Sequence, residues 1–356
     1  MFGNGLNFGG IASAPVAESS FKAVIYTGNG STQSISTVGF QPGLTWVKTR
    51  DLSSGHVLRS IGMNSTSTLS SNSTAALNTS QPTGGRLQLD SDGFTVRDIS
   101  NNGYGVNGSN NTQVAWNWKA GGAAVSNTDG SITSQVSANP NGAFSIVKYT
   151  GNGNTSQQSY GHGLNSAPEL VINKNMDTAT QGTNSWVVGG TLLGNGGYMF
   201  LNKINAKNTA SSYNGNQVPS SSVVYISGTS DLVHNQSGIN FISYCFASVS
   251  GVSQIGTYAA NQSTNGPIVY TTDDRTSSGA NPFQPSFVLI KNTAQNQEWV
   301  ILDSARPYGN SLQPNSSNAE GTGNFVQFNS NGFQIKASGG GVNWGTGNAY
   351  LYMAFK

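Results

Sequence analysis

The chain repeats itself three times, and this repetition limits its possible folds more than any other feature. The sequence FKAVIYTGNG at residues 21–30 returns as FSIVKYTGNG at 144–153, and a degenerate copy, YAAN, stands at 258–261. Each copy is followed by a segment that begins with Pro and reaches Lys six residues later, and each repeat closes on an aromatic-rich segment. Self-similarity of this kind indicates one structural unit copied along the chain.

These segments set the domain boundaries. The Pro-to-Lys segments are PGLTWVK (42–48), PELVINK (168–174) and PSFVLIK (285–291), and the closing segments are VAWNWK (114–119), FISYCF (241–246) and YLYMAFK (350–356). Repeats 1, 2 and 3 therefore cover residues 21–122, 143–250 and 252–356. Residues 1–20, with apolar side chains dispersed among glycines, are predicted to form an N-terminal docking arm, and residues 123–142 a linker.

The pattern within each repeat predicts β-structure. Short runs of alternating apolar and polar residues are separated by Gly, Asn, Ser and Pro, and helical periodicity is nearly absent. Asp92-Gly93 and Asn331-Gly332, each followed by Phe, are strong hairpin signals. The expected fold is all-β, with three tandem antiparallel β-sandwich domains of the jelly-roll or lectin-like kind. The Lys that ends each Pro-to-Lys segment is expected to leave its sheet for solvent.

Composition excludes several classes of protein. Only 8% of the residues are charged and the net charge is +2, against about 25% charged residues in an average soluble protein. Such a chain lacks the basic field that phosphate neutralisation requires, so no nucleic-acid partner is predicted. The single cysteine, Cys245, excludes an internal disulfide and a multi-cysteine zinc site. No stretch approaches about 18 uncharged apolar residues, so membrane insertion is not predicted.

The titratable residues do not form a catalytic motif. The four Glu do not alternate along one strand as in jelly-roll glucanases, and the three His lack an accompanying nucleophile elbow. Asp90-Ser91-Asp92 opens like a calcium loop but lacks its later ligands. Asp273-Asp274 is interpreted as a solvated loop beside Arg275, with a bound cation as the less favoured alternative. We therefore predict no catalytic residue, no metal and no cofactor.

The motifs resemble a known module. The YTGNG and AWNWK sequences of repeat 1, and WVILDSAR (299–306) and NSSNAE (315–320) of repeat 3, are similar to the repeated module of tailed-bacteriophage virion proteins. That module is lectin-like and similar to SPRY and concanavalin-A-type sandwiches. His56 stands where repeat 3 has Trp299, and Trp186 follows its Lys at a longer spacing. A surface site in one repeat therefore need not exist in the others.

The resemblance implies a function in the virion. The expected protein is a non-enzymatic structural component of the tail fibre, spike or tail-tip type, whose lectin-like domains bind the host surface or neighbouring subunits. An alternative is a capsid-surface decoration or head-fibre protein with a purely architectural role, and a less favoured one is a carbohydrate-active enzyme. The implied partners are other virion proteins, further copies of the same chain and host-surface glycans.

Four residues are candidate glycan contacts. Trp344 and its neighbours Asn343 and Asn348 lie in a Gly-rich loop, and Tyr104 occupies the comparable loop of repeat 1. A sugar ring has an apolar face and a polar rim, so an exposed aromatic ring beside amide groups suits it. The alternative is that these rings pack on a neighbouring subunit or domain. The other five Trp lie in strand patterns and are expected in the core.

Overall fold

The computed structural model describes residues 19–79, 85–97, 105–177, 184–227 and 234–356, and the structural statements below concern these residues. The described chain is all-β, and all pairs of named strands in it are antiparallel. This confirms the prediction of an all-β, antiparallel chain. No helix in the described ranges is long and apolar enough to cross a membrane. The predicted arm, apart from its last two residues, lies outside the described part.

Repeat 1 contains two sheets. Its strands are β1 Phe21–Thr27, β2 Thr32–Ile35, β3 Pro42–Thr49, β4 Val57–Ser60, β5 Leu87–Asp90, β6 Gly93–Arg97 and β7 Thr112–Lys119. The larger sheet has the order β1-β7-β3-β4 and the smaller one β2-β6-β5. Strand β3 begins at Pro42, where a missing backbone donor costs little.

The middle of the chain forms a longer sheet. Its strands are β8 Val125–Asn127, β9 Ser134–Ala138, β10 Phe144–Thr150, β11 Gln158–Gly161, β12 Leu170–Asn175, β13 Val187–Gly189, β14 Gly197–Phe200, β15 Asn208–Thr209, β16 Val223–Ile226 and β17 Asn240–Phe246. Short 3-10 helices lie at Thr191–Leu193 and Tyr213–Asn216. The eight-stranded sheet has the order β15-β14-β13-β12-β17-β10-β9-β8, and β11 pairs with β16. Strands β8 and β9 lie within the predicted linker, so this segment extends the sheet.

Repeat 3 returns to the arrangement of repeat 1. Its strands are β18 Ser253–Ala259, β19 Ile268–Tyr270, β20 Phe287–Asn292, β21 Val300–Asp303, β22 Val326–Asn329, β23 Gly332–Ile335 and β24 Ala349–Phe355, with one helical turn, α1 Gly340–Asn343. The sheets have the orders β18-β24-β20-β21 and β19-β23-β22. The predicted hairpins are confirmed: β5–β6 and β22–β23 each have a two-residue loop.

The same four-stranded order occurs three times. β1-β7-β3-β4 corresponds to β10-β17-β12-β13 and to β18-β24-β20-β21. The registers agree as well, because Phe21 lies opposite Trp118, Phe144 opposite Phe246, and Ser253 opposite Phe355. The structural correspondence between the repeats can therefore be assigned residue by residue.

The three larger sheets share one core. A single apolar cluster takes residues from all three repeats, and the Trp118 ring centroid lies 4.9 Å from Phe21, 6.3 Å from Phe144 and 5.2 Å from Phe287. A further cluster in each repeat takes residues from both its larger and its smaller sheet. Each larger sheet thus has two covered faces, one against its own smaller sheet and one against the other repeats.

The repeats contact one another in a closed ring. His56, Trp186 and Trp299 occupy equivalent positions just before the fourth strand of each sheet. Each donates a ring N–H to a backbone carbonyl of another repeat: Trp186 to Ser70 at 2.9 Å, Trp299 to Phe200 at 2.9 Å, and His56 to Gln313 at 3.0 Å. Repeat 2 therefore contacts repeat 1, repeat 3 contacts repeat 2, and repeat 1 closes the ring on repeat 3.

The expectation that the repeated Lys faces solvent is wrong. Lys48, Lys174 and Lys291 are at most 1% exposed. Each ammonium donates to two backbone carbonyls, and those of Lys174 and Lys291 include Thr74 and Ile204 of the preceding repeat. Burial lowers the pKa of each to about 8. The cause is that the loop after each strand turns back over the ammonium, and in repeats 2 and 3 the preceding repeat supplies the second carbonyl.

Candidate functional site

The loop after the first strand of each repeat is fixed by its Tyr. The hydroxyl groups of Tyr26, Tyr149 and Tyr258 each donate to a backbone carbonyl in the loop before the closing strand, at 2.6, 2.9 and 2.6 Å. In repeat 3 the acceptor is Val342, the residue before Asn343. The YTGN and YAAN sequences therefore join two loops at one end of each sheet.

A pair of asparagines completes this junction in each repeat. The side-chain oxygen of the second Asn accepts from the backbone N–H of the first, and its amide nitrogen donates back to the first side chain. The pairs are Asn29–Asn107 at 3.1 and 3.0 Å, Asn152–Asn235 at 2.9 and 2.8 Å, and Asn261–Asn343 at 2.8 and 3.0 Å. We call each pair an Asn bracket.

The glycines of the TGNG sequence have two different roles. Gly30 has φ 70° and Gly153 has φ 72°, as expected for a corner with left-handed backbone. Gly28 instead allows close approach, since a Cβ there would lie 2.2 Å from the carbonyl oxygen of Gly108. Repeat 3 places Gln262 at the position of Gly30, and its φ is 54°. A non-glycine residue in this conformation stores strain of about 1 kcal/mol or more.

The residue that follows the second Asn of the bracket differs between the repeats. It is Gly108 in repeat 1, Gln236 in repeat 2 and Trp344 in repeat 3. The loop of repeat 3 is also one residue longer, because Ala260 bonds to Asn348 where Gly28 bonds to Asn111. All three repeats have the Asn bracket, but only repeat 3 has a Trp at the position that follows it.

Trp344 combines an exposed ring with a fixed backbone. Its side chain is 47% exposed, whereas the other five Trp are at most 4% exposed, which confirms their predicted core positions. Its backbone N–H donates to the Tyr350 hydroxyl at 2.8 Å, and its backbone carbonyl accepts from Asn348 Nδ2 at 3.1 Å. The indole lies over Gly339, where a Cβ would stand 3.6 Å from it. The ring is therefore positioned before any partner arrives.

The other three predicted contacts have different positions. Asn343 is fully buried, and its amide bonds to the backbone of Asn261 and Gln262 and to the Ser263 carbonyl, so it holds the loop together. Asn348 is half-buried and supports the Trp344 carbonyl. Tyr104 lies outside the described residues. The polar neighbours missed by the sequence reasoning are Gln262 and Thr346, whose side chains bond to each other at 3.2 Å.

The carboxylate Glu320 joins repeats 1 and 3. It accepts from Arg50 at 2.8 Å and from Arg306 at 3.0 Å, and its side chain is 8% exposed. Arg306 also bonds to Asp303 at 2.7 Å, and Asp303 accepts from the Trp116 indole at 2.8 Å. Burial alone would raise the pKa of Glu320, but the hydrogen bond from Arg50 and the charge of Arg306 lower it to about 2. These carboxylates are committed to the interface between repeats.

The three histidines and the single cysteine are also buried. Burial, followed by the charge of Lys48, lowers the pKa of His56 to about 3. Burial lowers the pKa of His234 to about 4 and raises that of the Cys245 thiol to about 12. In the described part of the chain, no group of three or more His, Cys, Asp or Glu side chains is placed to hold a metal ion.

A cavity of about 320 Å³ lies in repeat 1, away from the Trp344 loop. Its apolar lining includes Val57, Leu69 and Leu77, and its polar lining includes Asn78 and the buried Arg86. Arg86 corresponds to Phe325 of repeat 3, because the two residues pair in the same way with the neighbouring strand. The Arg86 carbonyl accepts from the Arg97 N–H, and the Phe325 carbonyl accepts from the Lys336 N–H. The cavity is therefore lined by a side chain, Arg86, that differs between repeats 1 and 3.

Comparisons with known proteins identify a family. A family described as "Domain of unknown function (DUF7483)" matches residues 17–356, which is all three repeats together. No curated protein and no solved structure matches the chain. The extent of the match shows that the three repeats form one family unit, and the chain belongs to the DUF7483 family.

Proposed function

We propose that the protein is a non-enzymatic structural component of a tailed-bacteriophage virion, of the tail fibre, spike or tail-tip type, that binds host-surface glycans through repeat 3. The three repeats act as β-sandwich domains that contact one another, and the partners are other virion proteins and copies of the same chain. The resemblance of the YTGNG, AWNWK and WVILDSAR sequences to virion modules supports the setting. The Trp344 loop supports the binding role.

The main support for this proposal is that Trp344 is half-exposed although hydrogen bonds hold its backbone N–H and carbonyl. A flexible loop loses conformational entropy when a ligand orders it, and a preformed ring avoids that cost. A flat indole suits the apolar face of a sugar ring. Thr346, two residues after Trp344, and the Gln262 side chain bonded to it supply hydroxyl and amide groups at the same loop junction, as the polar rim of a sugar requires.

The strained backbone of Gln262 is a second supporting feature. Repeats 1 and 2 use glycine at this position, so a glycine would relieve the strain in repeat 3. Strain of this kind concentrates at functional sites. Retaining a glutamine whose side chain contacts the Trp344 loop fits a role in binding better than a role in folding.

The direction of the chain fits a protein tethered at one end. Phe21, which follows the predicted arm, packs 5.8 Å from Phe355, whereas Trp344 bonds to Tyr350 near the opposite end of the same strand. Five residues of antiparallel strand separate the two, about 17 Å. An arm attached to another virion protein would leave the Trp344 loop directed away from the attachment.

The experiment is an array of neutral and N-acetylated glycans probed with the full chain. We expect binding by the natural protein and its loss in Trp344→Ala. Leu52→Ala is the matched control, since Leu52 is 49% exposed and lies in repeat 1. Absence of glycan binding by the natural protein, with Trp344 instead needed for self-association or for binding to virion proteins, would favour the architectural alternative.

A further inference from the structure

Repeat 3 carries two more aromatic rings near the glycine-rich segment 339–341, where the Trp344 indole lies over Gly339. Tyr308 is 68% exposed, and Phe325 is half-buried against the core of its own repeat. None of the three rings pairs with another aromatic ring of the described chain. We propose that Tyr308, Phe325 and Trp344 form an aromatic strip that binds successive sugar rings of one glycan chain, an inference that rests on the proposed function.

Glycines connect the rings into a strip. The Phe325 ring lies against Gly323 on one side and Gly340 on the other, where added Cβ atoms would stand 2.6 and 3.4 Å from it. The indole of Trp344 lies over Gly339, the neighbour of Gly340. The Phe325 and Trp344 rings therefore cover adjacent residues of one backbone segment, whose Cα atoms are about 3.8 Å apart.

The other end of the strip is reached through Gly309. A Cβ on Gly309 would lie 2.3 Å from the Gly323 carbonyl and 2.9 Å from the Phe325 nitrogen. Tyr308 precedes it in the chain, so its backbone lies beside that of Phe325. Side chains on these glycines would collide with the strip or its backbone, and their absence leaves peptide groups between the rings. Peptide N–H and C=O groups bond to sugar hydroxyl groups without adding charge.

Repeat 1 provides an internal comparison. Its bridges Leu58–Leu69 and Thr68–Asn78 correspond to Ile301–Leu312 and Ser311–Gly321 of repeat 3. The positions of Tyr308, Phe325 and Trp344 are then occupied by Ser65, Arg86 and Gly108. A requirement of the shared fold would place similar residues in both repeats. Because all three aromatic positions change together, the strip is a property of the repeat 3 surface and not of the fold.

The strip fits a glycan better than a protein partner. A protein interface centres on a continuous apolar patch that excludes water, whereas these rings alternate with bare backbone. Exposed neutral groups flank them, including Asn324 beside Phe325 and Thr346 beside Trp344. The ligand expected is therefore a neutral polysaccharide bound along its length, with several consecutive sugars in contact.

The test uses chain-length series of glucose, mannose and N-acetylglucosamine oligosaccharides, from one to six sugars, titrated into the full chain by calorimetry. We expect the affinity of the natural protein to rise with length. Tyr308→Ala should weaken binding of the longer oligosaccharides by roughly 5- to 10-fold, the loss expected for one aromatic contact, and leave the shortest bound oligosaccharide unaffected. Trp344→Ala should weaken binding at every length.

Three outcomes distinguish this inference from the proposed function. Binding that needs Trp344 but is equally strong in Tyr308→Ala at all lengths would overturn the strip and leave the proposed function intact. No binding of any glycan by the natural protein would overturn both. Self-association that is lost in Tyr308→Ala, with unchanged glycan affinity, would make the strip a protein interface. Ser65→Ala in repeat 1 is the control and should change no affinity.

Discussion

Asp303→Asn tests whether the repeats are held in a closed ring. Asp303 is 3% exposed and accepts from the Arg306 guanidinium and from the Trp116 indole of repeat 1. Asparagine has nearly the same shape, so the substitution removes charge without opening a cavity. It leaves the guanidinium of Arg306, a residue 4% exposed, with Glu320 as its remaining ion-pair partner among the described residues.

The size of the effect follows from burial. Removing one partner of a buried ion pair costs about 3–5 kcal/mol, and the remaining bond to Glu320 places the expected loss near the lower value, about 3 kcal/mol. If the 356 residues unfold as one unit, the entropy of unfolding is roughly 0.75 kcal/mol per kelvin. The melting temperature should then fall by about 4 °C. A repeat of about 100 residues unfolding alone would lose about 14 °C in its own transition.

Calorimetry and urea unfolding measure both quantities. Asp273→Asn is the matched control, because Asp273 is exposed and bonds to Asn281 alone among the described side chains; its melting temperature should not change. We expect one transition in both variants, shifted by about 4 °C in Asp303→Asn. A loss below about 1 kcal/mol would show that the Asp303–Arg306 pair does not stabilise the ring. A separate low-temperature transition would show that the repeats unfold independently.

Two further predictions concern protonation and the Asn bracket. Burial lowers the pKa of His56 to about 3 and of His234 to about 4, so the unfolded chain binds their protons first as pH falls. The free energy of unfolding should therefore decrease from about pH 6.5 downward, by up to about 1.4 kcal/mol per pH unit for each histidine; urea titrations between pH 7 and 4 measure it, and a flat profile would contradict the burial of both rings. Asn343→Ala should cost about 1–3 kcal/mol and also weaken glycan binding, because it loosens the Trp344 loop. Asn107→Ala should cost as much stability with no change in glycan affinity, and equal effects of the two on affinity would refute the local role of the bracket.

The sequence predicted what depends on local pattern. The alternating runs indicated strands in all three repeats, and Asp92-Gly93 and Asn331-Gly332 indicated the hairpins of repeats 1 and 3. In both, Gly is required because the neighbouring strand approaches closely: a Cβ on Gly93 would lie 1.9 Å from the Ile35 carbonyl. The core positions of five Trp also followed from their strand patterns.

Contacts between distant segments were not predictable in this way. Trp186 and Trp299 were correctly expected to be buried, but nothing in their spacing shows that their N–H groups bond to another repeat. The Lys residues were expected in solvent because a charge normally stays there, and the carbonyls that surround Lys291 come partly from repeat 2. Strands β8 and β9 were not predicted, because their Gly- and Ser-rich segment lacks an apolar pattern. Backbone pairing at a sheet edge needs few apolar side chains.

The candidate site was predicted in part. An exposed Trp in a Gly-rich loop was identified, and Trp344 is that residue. Asn343 was chosen for its polarity, but the Gly-Val-Asn sequence shared by residues 105–107 and 341–343 was the signal that it belongs to a structural bracket. The contribution of Gln262 depends on its backbone conformation, which a sequence pattern does not reveal.

Fluorescence quenching of Trp344 tests the binding claim most directly. With five of six Trp buried, iodide should quench a small accessible fraction of the emission, and Trp344→Phe should abolish that fraction. Adding a glycan identified on the array should protect the accessible fraction in the natural protein in proportion to occupancy. Binding that leaves iodide quenching of Trp344 unchanged at saturation would contradict the account, because the indole would then not be the contact surface.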